Sequence, residues 1–259
     1  MLSDLMTPER LENGYVIVLP GIEGKSLFNH NIVKGLLRAD VPYAIEIYDW
    51  TRGFFRFPNN LRNRRRHREQ AELIAGKIAA YRENHPTQPV FLIGHSGGGA
   101  MTIYTFERLP DDVRATGGVL IMPAISPDYD LTPALRQTER GLWSFSSYGD
   151  VVFLGLATLL LGTCDGKHVL GAGLTGFADA DQRSGRQSGE PIPSLHEIPY
   201  RWEFAKSVNF GGHFGPSYPT FVERWIAPIL VDEQPPPTAS ARGPYRIAES
   251  PDEVPLPVR

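Results

Sequence analysis

The chain has 259 residues and a formal net charge of −3 at pH 7. This length suits one large α/β domain, and the charge excludes the overall basic field typical of nucleic-acid binding proteins. A single cysteine, Cys164, excludes an internal disulfide framework and favours a reducing, cytoplasmic location. Residues 1–14 lack the apolar core of a secretory signal. The longest apolar stretch, 151–162, is too short to span a bilayer, so it predicts a buried helix and no stable membrane insertion.

Apolar runs alternate with segments of helical spacing along the chain. The predicted strands, in chain order, are 15–19, 43–48, 90–93, 118–122, 142–147 and a weaker one within 197–204. Four helices are predicted. The first begins at residue 26, the second includes 71–81, the third follows residue 96 and the last includes 221–229. This alternation implies right-handed crossovers. It therefore predicts a doubly wound, mainly parallel sheet of about six strands with helices on both faces.

Two segments lack such a pattern. Residues 162–194 are glycine-rich and show no clear period, which is typical of a functional or poorly ordered loop. Residues 231–259 are rich in proline and have almost no core pattern, so we expect a tail that is disordered or lies on the surface. The sequence therefore predicts a single domain over 1–230, followed by this tail.

The segment after the third predicted strand reads Gly94-His95-Ser96-Gly97-Gly98. A buried strand that passes through Gly-x-Ser-x-Gly into a helix is the sequence form of a nucleophile elbow, a sharp turn that presents a serine hydroxyl. Glycine is needed two positions to either side because the strained turn brings backbone segments close together. The pattern predicts Ser96 as a nucleophile, and the alternative is a glycine-rich turn with an idle serine.

A serine hydroxyl is a poor nucleophile unless a base, an orienting carboxylate and oxyanion donors surround it. The best candidate for the base is His213, in the glycine-rich segment 209–215 between the last predicted strand and the last helix. Such a position predicts an exposed loop at the carboxyl edge of the sheet. His168 and His196 remain alternatives.

The orienting acid is expected after a later strand than the nucleophile. Asp150 fits this position because it follows the fifth predicted strand after a short polar turn, Ser-Tyr-Gly. Asp128, Asp130 and Asp165 remain alternatives, although their surroundings are typical of ordinary turns.

The oxyanion donors are expected to be backbone N–H groups. One is that of Gly97, because the N-terminus of a helix offers free donors and a favourable dipole. The other is expected from the loop after the first strand, 19–24, where Ile22 is the first choice and Gly21 the second.

Four motifs carry a family resemblance: GHSGG at 94–98, LPGIEG at 19–24, SYGD at 147–150 and GGH at 211–213. Over about 15–230 the chain resembles the α/β-hydrolase fold serine hydrolases of the lipase and esterase type. The resemblance implies a triad of Ser96, Asp150 and His213, hydrolysis of an ester or amide through an acyl-enzyme, and no cofactor or metal.

The chain departs from the fuller family pattern in two ways. It begins almost directly at the strand before the oxyanion loop, so the first two strands of the family are missing or minimal. The segment 123–141, between the fourth and fifth strands, is too short for a large inserted cap, where such enzymes often determine substrate specificity.

Candidate substrate contacts lie near the elbow. The aromatic segment 50–57, with Trp50, Phe54 and Phe55, follows the second strand and either forms a wall of an apolar acyl pocket or packs under a long loop. Gly21 and His95 are expected to contact the substrate because they lie beside the predicted oxyanion donors and the nucleophile.

A basic cluster comprises Arg62, Arg64, Arg65, Arg66 and Arg68. It suggests either contact with an anionic surface or a solvated helix face, and the latter is favoured because no aromatic residues alternate with the arginines.

The leading expectation is a serine hydrolase that cleaves a small-molecule or lipid ester, with no nucleic-acid partner. Acyl transfer and thioester hydrolysis use the same residues and remain alternatives. A non-catalytic binding protein on the same fold is the alternative from another class.

Overall fold

The computed structural model describes residues 5–53, 56–178 and 192–231. Six parallel strands form one sheet in the order β2-β1-β3-β4-β5-β6. The strands are β1 Tyr15–Leu19, β2 Ala44–Ile47, β3 Val90–His95, β4 Gly117–Ile121, β5 Leu142–Ser146 and β6 Leu195–Pro199. The predicted fold class is confirmed, and the weak sixth strand begins two residues before its predicted window.

The central strands explain why the sequence pattern was readable. All residues of β1, β3 and β4 are buried, and strands covered on both faces are nearly continuous apolar runs. The edge strand β6 is mostly half-buried and includes His196 and Glu197, so its pattern was weaker.

The helices lie between and after the strands. They are α1 Pro8–Leu11, α2 Leu27–Arg38, α3 Phe57–Arg62, α4 Arg64–Asn84, α5 Gly97–Phe106, α6 Thr132–Arg136, α7 (a π-helix Val151–Ala157 continued by the α-helix Thr158–Leu161), α8 Ala172–Thr175 and α9 (Pro219–Phe221, the π-helical Val222–Ile226 and Ala227–Leu230). As predicted, α2 begins after Ser26, whose N–H donates to the side chain of Asn29 at 2.8 Å in a capping box.

The topology creates a crevice at one edge of the sheet. The chain leaves β1 towards β2 but leaves β3 towards β4, in the opposite direction. Right-handed crossovers then place α2 and α5 on opposite faces. In agreement, α5 packs against α4 and α6, whereas α2 packs against α9. Ligands of such sheets bind beyond the carboxyl ends of the two strands at this switch point, which here are β1 and β3.

Helix α7 differs from its prediction. The apolar stretch 151–162 does form a helix, but most of its large side chains are exposed rather than buried: Val151, Val152, Phe153, Leu156, Leu159, Leu160 and Leu161. The helix follows β5 outside the two helical layers, so only Leu154, Gly155 and Thr158 along it are buried. An apolar run alone could not distinguish a helix in the core from one at the edge.

Other predictions fall partly outside the described residues. The tail 231–259 lies outside them except for Val231, and so does 179–191 of the predicted long loop. The single domain over 1–230 therefore stays a prediction. Among the described helices, none combines the length and apolar character needed to cross a membrane.

Candidate active site

The turn between β3 and α5 has the geometry of a strained elbow. Ser96 adopts φ 54° and ψ −117°, which is costly for a residue with a side chain. A Cβ on Gly94 would lie 2.1 Å from the carbonyl oxygen of Gly98, and one on Gly98 would lie 2.2 Å from the carbonyl oxygen of Leu19. Only glycine therefore fits at either position, as the sequence pattern suggested.

The segments after β5 and β6 bring the predicted acid and base together. The Nδ1 atom of His213 hydrogen-bonds Oδ2 of Asp150, and both side chains are buried. The other carboxylate oxygen, Oδ1, accepts the N–H of Phe153 at 3.3 Å, so Asp150 also caps α7. The Ser147 hydroxyl donates to the carbonyl of Gly211 at 2.7 Å and joins the two segments. This arrangement leaves Nε2 of His213 for proton transfer.

The alternative acids contact other groups. Asp128 forms an ion pair with Lys167 at 2.7 Å. Asp130 accepts a backbone N–H two residues further along the chain. Asp165 accepts hydrogen bonds from the backbone and the hydroxyl of Ser126. These contacts are typical of turn and loop carboxylates, as the sequence indicated.

The alternative bases also have other partners. The ring of His168 contacts the carbonyl of Leu159 at 3.0 Å. The ring of His196 stacks on Trp143 with 4.9 Å between the ring centroids. Neither residue lines the cavity described below.

A cavity of about 380 Å³ contains the nucleophile and the base. Ser96 and His213 line it together, and no hydrogen bond joins them among the described residues. Such bonds are often long without substrate. The remaining walls are mainly apolar and come from the loop after β1, from α2, α3 and α7, and from the segment around His213; they include Phe28, Phe57, Phe153, Leu154, Leu161 and Phe214. The shape suits an apolar acyl group next to a nucleophile.

Two backbone donors meet beside Ser96. A Cβ on Gly97 would lie 3.4 Å from the nitrogen of Ile22, so the loop after β1 approaches the start of α5 closely. In the described part of the chain, neither the N–H of Ile22 nor that of Gly97 donates a hydrogen bond. The carbonyl of Ile22 accepts from the side chain of Asn60 at 2.8 Å, which fixes the loop. Both N–H groups are therefore free to face an oxyanion.

Three predicted substrate contacts, Trp50, Gly21 and His95, do not line the cavity. Trp50 is wholly buried, donates from Nε1 to the carbonyl of Pro20 at 2.7 Å and packs against Gly97, so it supports the loop after β1. The N–H of Gly21 faces the carboxylate of Glu23, which leaves Ile22 as the better oxyanion donor. Phe54 and Phe55 lie outside the described residues.

His95, which the sequence also predicted as a substrate contact, does not line the cavity. Its side chain is wholly buried behind the elbow, and its Nε2 donates to the carbonyl of His213 at 3.1 Å. Burial, followed by the nearby charge of His213, lowers the pKa of His95 to about 3, so its ring is neutral. His95 therefore supports the backbone of His213 from behind the elbow.

Glu23 was not among the predicted site residues. Its side chain is 21% exposed, lines the cavity, and places Oε1 4.0 Å from Nδ1 of His95. Burial raises the pKa of Glu23, although backbone hydrogen bonds and the charge of His213 oppose this rise. An acid within the predicted oxyanion loop was the sequence signal for this residue.

The stacked aromatic rings around His213 were also not predicted from the sequence. The ring of Phe153 stacks on that of His213 with 4.7 Å between centroids. Phe28 and Phe214 stack with 3.9 Å between centroids. The available signals were the residue directly after His213 and the apolar face of α2, but only the fold brings them to one cavity.

The basic cluster has a structural role beyond solvation. Arg62 donates to the carbonyl of Leu161 at 3.1 Å, and Arg64 donates to that of Asp165. These bonds attach α3 to the end of α7 and α4 to the segment after it. Four of the five arginines are exposed, whereas Arg66 is half-buried and donates to the carbonyl of Thr51 at 3.2 Å, so the predicted solvated face is found only in part.

Within the three described ranges, no three histidine, cysteine or acidic side chains are grouped so that they could hold a metal ion.

A serine on a strained elbow, in an open parallel sheet with this strand order, defines the chain as an α/β-hydrolase. Residues 12–148 match the family model described as serine aminopeptidase, S33, and the chain therefore belongs to that family.

Solved structures share the fold at low sequence identity. The chain is 17% identical to LpqC, a poly(3-hydroxybutyrate) depolymerase from Bordetella parapertussis, over 90% of this chain and 84% of that one, with a TM-score of 0.52. It is 12% identical to lipase B of Aspergillus fumigatus, over 86% of this chain and 54% of that one, with a TM-score of 0.50. No protein of curated function matches the chain by sequence.

Proposed function

We propose that the protein is a serine hydrolase that cleaves carboxylic esters with an apolar acyl group, with Ser96 as nucleophile, His213 as base and Asp150 as orienting acid. The observation that carries the proposal is the buried hydrogen bond between Asp150 and His213, which lie in the same site as the strained serine. Nucleophile, acid and base also follow the chain order expected for this kind of elbow: Ser, Asp, His from the N-terminus.

The reaction follows from these positions. Ser96 Oγ attacks the ester carbonyl while Nε2 of His213 takes the hydroxyl proton, and Asp150 stabilises the resulting imidazolium. The N–H groups of Gly97 and Ile22 hold the tetrahedral oxyanion. The bond to the leaving oxygen then breaks and His213 gives this oxygen its proton, so an alcohol departs and the acyl group stays on Ser96 as an acyl-enzyme. Water, deprotonated by His213, attacks the acyl carbon, and collapse of the second intermediate returns the proton to Ser96 and releases a carboxylic acid.

The cavity favours an ester over a peptide. An aminopeptidase must bind the ammonium group of its substrate, and a charged carboxylate is the usual partner for such a group. Among the described residues that line the cavity, the acidic side chain is that of Glu23. Burial raises the pKa of Glu23 and so disfavours the charged carboxylate that an ammonium group would need. The other walls are mainly apolar, which suits an acyl chain.

The test compares two chromogenic substrates. We expect turnover of p-nitrophenyl octanoate at a rate at least about 10² times that of leucine p-nitroanilide. A preference for the anilide would refute the ester proposal while leaving the assignment of Ser96 intact.

A further inference from the structure

The outer face of α7 is an exposed aliphatic surface. Val152, Leu156 and Leu160 follow one another at a spacing of four residues, and each is more than half exposed. Val151 and Leu159 extend the same exposed surface. Contiguous apolar surfaces of this kind mark sites of interaction rather than ordinary protein surface.

The inner face of the same helix is also apolar. Phe153, Leu154 and Leu161 line the cavity that contains Ser96. A helix that is apolar all round is normally buried on every side, in a core or in hydrocarbon. The eleven residues of α7 extend only about 16 Å, which is too short to cross a bilayer. If α7 meets a membrane, it therefore lies in the surface of the bilayer.

The chemistry of the outer face favours hydrocarbon over a protein. Residues 151–164 contain no charged side chain. The hydroxyl of Thr158 is used within the helix, where it donates to the carbonyl of Leu154 at 2.8 Å. Protein interfaces carry roughly one hydrogen bond per 100–200 Å² and anchor on tryptophan, tyrosine or arginine, and the residues of α7 itself supply none of these three side chains.

The charge at the border of this face fits a phospholipid surface. The exposed guanidinium of Arg62 contacts the last turn of α7 through the carbonyl of Leu161. Cationic side chains beside an apolar helix attract the phosphate groups of anionic lipids.

We propose that the outer face of α7 docks the protein on a phospholipid bilayer surface. An apolar acyl chain then passes from the hydrocarbon along the inner face of α7 into the cavity without crossing water. The docking itself depends only on the exposed helix, whereas this use of it rests on the proposed ester hydrolysis.

The test is co-sedimentation of the full chain with vesicles of phosphatidylcholine and phosphatidylglycerol in a 4:1 ratio. The variant Leu156→Ser/Leu160→Ser removes two outer side chains that do not line the cavity. The matched control, Met6→Ser/Leu73→Ser, removes two exposed apolar side chains that do not line the cavity, the first near the start of the chain and the second on α4. We expect the bound fraction of the α7 variant to fall by about tenfold or more, and that of the control to equal the wild type.

Equal sedimentation of the α7 variant and the wild type, or no sedimentation of the wild type, would overturn the proposal. A wild-type dimer that the α7 variant converts to a monomer, without vesicle binding, would assign the surface to a second copy instead. Turnover of p-nitrophenyl acetate without vesicles should be the same in all three proteins. Wild type that binds vesicles but hydrolyses no ester would support the docking and refute the proposed function.

Discussion

Two regions enclose the cavity and are held in different ways. The loops after β1 and β3 meet backbone against backbone, where Gly98 lies directly on the carbonyl of Leu19. Helix α7, on the other side, is attached through the cap by Asp150 and the bond from Arg62, and it leaves most of its apolar side chains exposed. The first region needs particular residues for steric reasons. The second places apolar side chains both on the cavity and on the protein surface.

Asp150 caps α7 and also hydrogen-bonds the proposed base His213, so its replacement should have the largest effect. We expect Asp150→Asn to lower kcat by about 10⁴-fold, because an amide does not stabilise the imidazolium. The asparagine oxygen can still accept the N–H of Phe153, so the melting temperature should stay near that of the wild type. The control Asp130→Asn, at a turn carboxylate, should keep full activity. Normal kcat in Asp150→Asn would move the orienting role to another acid.

The backbone contact of the first region is tested by Gly98→Ala. The added methyl group would lie 2.2 Å from the carbonyl oxygen of Leu19 and 2.6 Å from that of Pro20, so the loop that carries Ile22 must move. We expect a loss of about 2–3 kcal/mol in the free energy of unfolding, measured with urea. Gly76→Ala in the exposed part of α4, where a Cβ meets nothing within 4 Å, should instead stabilise by about 0.5–1 kcal/mol. Equal stability of the two variants would contradict the close contact.

The second region is tested by Phe153→Ala. Its ring lines the cavity and stacks on His213. We expect KM for p-nitrophenyl octanoate to rise by about tenfold, since burying an apolar side chain contributes about 1.5–3 kcal/mol. KM for the acetate ester should change little, and Val152→Ala, on the outer face, should change neither. An equal rise for both esters would show that the ring does not contact the acyl chain.

The smallest effect concerns Glu23. Because its pKa is raised in the folded protein, the folded state binds its proton more tightly than the unfolded state. Ionisation of Glu23 therefore costs stability as the pH rises above the ordinary glutamate value and through the raised one. We expect Glu23→Gln to match the wild type near pH 4 and to melt about 2 °C higher at pH 8.

Thermal melts across this pH range provide the measurement for Glu23. The control Glu83→Gln, at an exposed position on α4, should show a difference that does not vary with pH. A gap between Glu23→Gln and the wild type that narrows as the pH rises would contradict the burial of this carboxyl.

The sequence predicted those parts of the molecule that depend on local backbone constraints. The strands β1, β3 and β4 are apolar runs because both of their faces are covered. The elbow was recognisable because glycine is the residue that fits beside a serine at φ 54°. The contact between Asp150 and His213 followed from their positions after neighbouring strands at one sheet edge.

The remaining features depend on contacts between distant segments. His95 and Trp50 are polar or aromatic residues near the elbow, but both point into the protein, and no local pattern fixes that direction. The apolar run of α7 resembles a core helix, and only its position after β5 shows that it faces solvent. Glu23 became part of the site because the loop after β1 folds over the cavity.

The role of Ser96 as nucleophile can be measured by labelling with a fluorophosphonate probe, because the probe reacts with a serine only when a base activates it. We expect rapid labelling of the folded wild type, slower labelling of Asp150→Asn and none of Ser96→Ala. Absence of labelling in folded wild type, or persistent labelling of Ser96→Ala, would contradict the assignment of Ser96 as the nucleophile.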